Sequence, residues 1–136
     1  MIPVDEESFA GLVARFEELL DRQDAAVMRV VVMTIASPGP VDLSTADHGG
    51  KRIRINSVGV CDVRLPQSSP VGTVFLPRQT NTGQLRFLPF GTSVLRNGLN
   101  HNGTARQYAA VSLTCERNDD GNSAVWMLDG DTAAVG

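Results

Sequence analysis

Apolar positions near the start of the chain recur at intervals of three and four residues: Phe9, Leu12, Val13, Phe16, Leu19, Leu20 and Val27. On a helix that spacing forms one stripe, with Glu17, Glu18, Asp21, Arg22 and Asp24 on the other side. Glu18 and Arg22 are ordered for a favourable pair one turn apart. Asp5 suits the N-cap, Glu6 and Glu7 complement the positive helix end, and Val4 and Phe9 stand where a hydrophobic staple belongs. The pattern predicts a helix over residues 6–29.

From residue 30 the pattern changes. Val30-Val31-Val32-Met33-Thr34-Ile35 is β-branched and almost continuously apolar, which predicts a strand buried on both faces and stopped by Ser37-Pro38-Gly39-Pro40. The alternative is a helix that runs on through Val32; the bunching of β-branched residues favours the strand. Residues 37–50 read as a loop, and short strands follow at 52–58, 60–65, 72–76, 85–88, 107–115 and 124–128, separated by turn residues. Ile53 and Ile55 alternate with Arg52 and Arg54, the mark of a sheet with one wet face. Asp120-Gly121 signals a two-residue hairpin between the last two long strands, and 97–104 reads as an exposed loop. Neither an internal repeat nor a linker is visible. One helix followed by strands predicts a single α+β domain over 1–136, its N-terminal amphipathic helix packed on antiparallel β-sheets and its β-rich body spanning 30–136.

Composition narrows this picture only in places. Aromatic residues are 5% of the 136, so the core must be built mainly from Val, Leu, Ile and Ala. A net charge of −3, a single lysine (Lys51) and no extended Lys/Arg run argue against a nucleic-acid-binding face. The longest apolar stretch, 25–36, is interrupted by Arg29 and Thr34 and is too short to span a bilayer. No secretory signal is visible, since Met1-Ile2-Pro3 leads directly into Asp5-Glu6-Glu7.

Candidate chemistry is sparse. His48 and His101 sit in polar, Gly-containing stretches without a second ligand at metal spacing, which predicts solvent-facing loop residues. Asn118-Asp119-Asp120-Gly121-Asn122, with Asp129 and Asp131, lacks the closing Glu of a calcium loop and reads as turns. There is no Gly-x-Ser-x-Gly elbow, P-loop or dinucleotide fingerprint. These absences predict a non-enzymatic protein without metal or cofactor. Cys61 and Cys115 leave two readings open: a lone disulfide in an oxidising compartment, or two buried thiols in a reducing one.

Three segments together carry a resemblance. The first runs from Leu12-Val13-Ala14-Arg15 through Asp24-Ala25-Ala26-Val27-Met28-Arg29 into Val30-Val31-Val32, an alanine-bearing helix passing straight into a Val-rich strand. The second is Leu85-Arg86-Phe87-Leu88-Pro89-Phe90-Gly91-Thr92-Ser93. The third is the ending 109–115, turn, 124–128, Asp129-Gly130, 133–135. In order and spacing they resemble the globular part of H-type minor pseudopilins of the type II secretion system and the related T- and U-type minor pilins of type IV pili. The family's membrane-embedded N-terminal segment is absent from this chain, and Gly130-Asp131 stands where the family has Gly-Arg.

The resemblance implies a structural subunit of a periplasmic pseudopilus or type IV pilus, acting by protein–protein assembly in secretion or pilus biogenesis. Its partners would be other pilin or pseudopilin subunits, and a segment absent here would anchor it in the inner membrane of a Gram-negative-type envelope. Phe9, Leu12, Val13 and Phe16 would form the assembly interface. The second reading is a viral or phage structural subunit, such as a capsid decoration or tail protein. The third is a small enzyme with a dispersed site.

Overall fold

The computed structural model describes residues 13–15, 30–36 and 39–136. The chain divides into two units, Met1–Val30 and Val31–Gly136. In the first, residues 13–15 are helical and exposed; the rest of the helix expected over 6–29 lies outside the described residues.

The second unit is built of strands. In chain order they are β1 (Val32–Ala36), β2 (Val41–Asp42), a short helix α1 (Thr45–His48), β3 (Arg52–Asn56), β4 (Cys61–Leu65), β5 (Val74–Gln79) and β6 (Leu85–Pro89). Then follow β7 (Val94–Arg96), β8 (Gly103–Thr104), β9 (Val111–Arg117), β10 (Val125–Gly130) and β11 (Thr132–Ala133). They form two sheets. The first has the order β1-β3-β5-β9-β10-β7 and the second β11-β8-β6-β4-β2.

From β1 to β9 successive strands alternate between the sheets, so each of those connections crosses to the opposite sheet; β9 and β10 instead form a hairpin within the first. β1, β3 and β5 then lie parallel in the first sheet, and β2, β4 and β6 parallel in the second. The result is a flattened coil whose turns stack. Asp42 lies beside Arg64 at a separation of 22 residues, Asp62 beside Arg86 at 24, and Arg52 reaches the Leu76 carbonyl at 24. The corners stack as well: Asn81 Nδ2 donates to Asn56 Oδ1 at 2.8 Å, 25 residues back, and Gly83 N donates to Ser57 O at 2.8 Å. Gly83 is required there, because a Cβ would stand 2.0 Å from the Gly59 carbonyl oxygen. Beyond β6 the stack is closed by antiparallel pairings, β5–β9–β10 and β6–β8–β11.

The core lies between the sheets. Period-two alternation turns Ile53, Ile55, Phe75, Leu113 and Trp126 inward from the first sheet and Val63, Leu65, Leu85 and Phe87 inward from the second. Phe75 and Trp126 pack with ring centroids 5.1 Å apart, and Trp126 Nε1 donates to the Pro66 carbonyl at 3.0 Å. One polar chain crosses this interior fully satisfied. Leu85 N donates to Thr104 Oγ1 at 2.9 Å, Thr104 Oγ1 donates to Gln79 Oε1, and Gln79 Nε2 donates to the Asn81 carbonyl at 2.9 Å.

Several expectations are corrected. The α+β, pilin-like arrangement of a helix packed on antiparallel sheets is replaced by two mixed sheets, because each sheet covers the other's apolar face. The sheets are not antiparallel throughout: most connections cross between sheets, which leaves β1–β3–β5 and β2–β4–β6 parallel. The expected absence of a repeat gives way to stacked coils whose period is carried by register, with corners of unequal length. The strand expected to be buried on both faces is β1, at a sheet edge, with Val31 62% and Val32 58% exposed. The stretch 97–104 is not wholly exposed: it contains β8, and Thr104 is buried. The 120–121 hairpin exists between β9 and β10, but its loop is longer, running from Asn118 to Ala124. Gly121 (φ +75°) makes its turn, and Asn118 Oδ1 accepts from Ser123 N at 3.1 Å.

Candidate functional site

The outer faces of the two sheets hold most of the charged chemistry. On the second sheet, alternation that buries Val41, Val63 and Phe87 turns Asp42, Asp62, Arg64 and Arg86 outward. Parallel register sets Asp42 beside Arg64 and Asp62 beside Arg86. The first pair is bidentate, Arg64 Nη2 donating to Asp42 Oδ2 at 3.0 Å while Nε donates to Oδ1. In the second, Arg86 Nε donates to Asp62 Oδ1 at 2.6 Å and Nη1 to the Gly136 carbonyl at 2.9 Å. The hydrogen bond from Arg86 holds the Asp62 carboxyl below its ordinary pKa, and the same bond raises that of Arg86.

An open cleft of about 380 Å³ adjoins the Asp42–Arg64 pair, lined also by Leu43, Leu65, Pro66 and Phe90. Phe90 is 60% exposed. The cleft offers an aromatic surface beside an ion pair whose groups satisfy each other, a setting for holding a small amphipathic molecule. A second, shallower hollow at the β9–β10 loop is lined by Arg117, Asp119, Asp120, Ser123 and Val125. There Asp120 caps its own loop, accepting from Asn122 N at 2.8 Å, and this bond lowers its pKa. Among the described residues no group of three or more His, Cys, Asp or Glu is placed to hold a metal ion.

On the first sheet, alternation around Ile53, Ile55, Phe75 and Pro77 turns Arg52, Arg54 and Arg78 outward. Arg54 and Arg78 are register neighbours, so like charges stand side by side. None of the three pairs with a carboxylate among the described residues.

The residues singled out from the sequence are scattered. Phe9, Leu12 and Phe16 lie outside the described residues, and Val13 is helical and 39% exposed. Cys61 and Cys115 are buried free thiols, on β4 of one sheet and β9 of the other. Burial raises both pKa values, most simply for an apolar interior that disfavours thiolate. His48 and His101 are half-buried and serve local structure: His48 Nδ1 accepts from Ser44 N at 2.9 Å, and His101 Nδ1 contacts Thr132 Oγ1 at 2.8 Å. Alternation in the sequence set Arg52 and Arg54 on a wet face, but it did not reveal their neighbour Arg78 or the paired face of the second sheet. The signal was present as Asp and Arg recurring one coil apart, legible only once the coil length is known. Among the described residues no helix is long and apolar enough to cross a membrane. No protein-family model matches the chain, and no curated protein matches it.

Proposed function

We propose that the chain is a non-enzymatic structural subunit that works by protein–protein assembly. The observation that supports this reading is the open edge of the first sheet. Among the described residues β1 pairs with β3 on one side and with no strand on the other, and residues 31–36 contain no charge, proline or glycine. Sheet edges are ordinarily guarded by charge, proline, a bulge or a covering element, and an unguarded one is a template for another chain. A second copy fits: antiparallel pairing about Thr34 sets Val32 against Ala36 and Met33 against Ile35 without a like-charge clash.

Of the two assembly readings, the stack of parallel coils favours a viral or phage structural subunit, because such coils are stiff along one axis and meet neighbours at their ends. The pilus or pseudopilus reading rests on the sequence resemblance, and the helix-on-antiparallel-sheet body it requires is replaced here by two facing mixed sheets.

The test uses β1. Arg52 N donates to Val31 O, so residues 31, 33 and 35 face β3, and the amide of Thr34 faces the open edge. Thr34→Pro therefore removes an edge donor while sparing the ladder to β3. Sedimentation velocity of the full chain should show concentration-dependent association that Thr34→Pro and, separately, Val32→Lys weaken at least tenfold, with circular dichroism unchanged. A wild-type chain that stays monomeric at every concentration, or association indifferent to both variants, overturns the reading.

A further inference from the structure

We infer that the outer face of the first sheet is a docking surface for a carboxylate-bearing protein partner, with Arg52, Arg54 and Arg78 as its recognition groups. The inference deepens the assembly reading by naming a partner's chemistry, and it stands on a different surface from the β1 edge.

Arg64, Arg86, Arg106 and Arg117 each pair with an aspartate of this chain. Among the described residues Arg52, Arg54 and Arg78 pair with no carboxylate, although all three lie on adjacent strands of one sheet. Arg54 and Arg78 are direct register neighbours, roughly one strand spacing of 4.8 Å apart along the backbone, where like charges repel. Among the described residues Arg78 Nε is buried without a hydrogen-bond partner, and Arg52 reaches the Leu76 carbonyl alone, at 3.3 Å. A guanidinium fork left in this state lacks the planar acceptor it is shaped for, and a carboxylate supplies one. The outward carboxylates of the same sheet, Glu116 and Asp129, sit on β9 and β10, beyond β5.

The apolar neighbours select a protein over a polyphosphate. Leu76 stands in register beside Arg52 on the same face, half-buried among the arginines. A face that interleaves arginine with aliphatic side chains matches the composition of protein interfaces, where apolar contact and bidentate arginine bonds act together. A phosphate backbone would use the charges and leave Leu76 without a contact.

The experiment measures fluorescence anisotropy of a labelled peptide alternating Glu and Leu, titrated with the full chain at low salt. The wild type should bind it. An Arg54→Gln/Arg78→Gln double variant should bind at least tenfold more weakly, while Arg106→Gln, on a paired surface arginine, should bind as the wild type. Arg54→Thr should weaken binding yet raise the melting temperature by about 1–4 °C, since it removes a like-charge neighbour. That opposite movement separates a recognition group from a structural one. Absence of peptide binding by the wild type, equal loss in Arg106→Gln, or tighter binding of an unstructured oligonucleotide than of the peptide would each overturn the proposal. Thr34→Pro should leave peptide binding intact, so failure of the edge and failure of this face are read apart.

Discussion

On the second sheet each outward coil arginine meets an aspartate one strand away, Arg64 with Asp42 and Arg86 with Asp62. On β3 and β5 of the first sheet, Arg54 and Arg78 meet each other across the strands and Arg52 meets Leu76. Both faces arise from the same coil, the same period-two alternation and the same parallel register. Register delivers a neighbour; only the residue type at that register decides whether the neighbour is a partner or a rival. The second sheet is electrostatically closed within the chain, whereas the first carries charge that its own strands do not neutralise. Its edge differs too: β1 is apolar and uncharged, while the edge strand of the second sheet at that end, β2, carries the paired Asp42.

The two sheets are tied together from within. Trp126 extends from the first sheet to hydrogen-bond the Pro66 carbonyl, just past β4 of the second. Trp126→Ala should cost about 3–5 kcal/mol and lower hydrogen-exchange protection in both sheets together. Loss confined to the first sheet would show that the two do not fold as one unit. Thr104→Val tests the polar link: it leaves the Leu85 amide and Gln79 Oε1 unpaired in the interior, at a cost of about 1–3 kcal/mol in chemical denaturation.

Thr34 lies in register beside Arg54, as Asp42 lies beside Arg64. Thr34→Asp should therefore give the first sheet the second sheet's pattern and stabilise it by on the order of 0.5 kcal/mol, an effect that added salt reduces. The smallest effect is one of pH. The folded Asp62 carboxyl has a lowered pKa, so its pairing with Arg86 stabilises the fold above the ordinary carboxylate pKa. That contribution is lost as pH falls through the depressed value. Asp62→Asn should flatten the acid limb of a stability–pH curve, while Arg54→Gln should leave that limb unchanged.

How far the sequence could be read depended on the range of the interaction. The strands at 52–58, 60–65, 85–88 and 124–128 were legible because alternation and turn residues act within a few positions, and β3, β4, β6 and β10 occupy them within a few residues. Ile53 and Ile55 were rightly set apart from Arg52 and Arg54, since period two assigns faces without knowledge of the neighbouring strand. The two-residue strands β2 and β8 were read as loop, because two residues carry no periodic signal. Helix packing on a sheet was the wrong closure, for an apolar sheet face does not specify what covers it.

Local pattern was enough to place the strands at 52–58, 60–65, 85–88 and 124–128 within a few residues, and to set Ile53 and Ile55 on the face opposite Arg52 and Arg54. Tertiary structure decided whether a connection returns along its own sheet or crosses to the other, and with it the parallel register. That register joined Asp42 to Arg64 and Arg54 to Arg78 across 22 and 24 residues. Such pairs lie a full coil apart, beyond the reach of any local pattern, and they exist only because successive coils stack at one strand spacing.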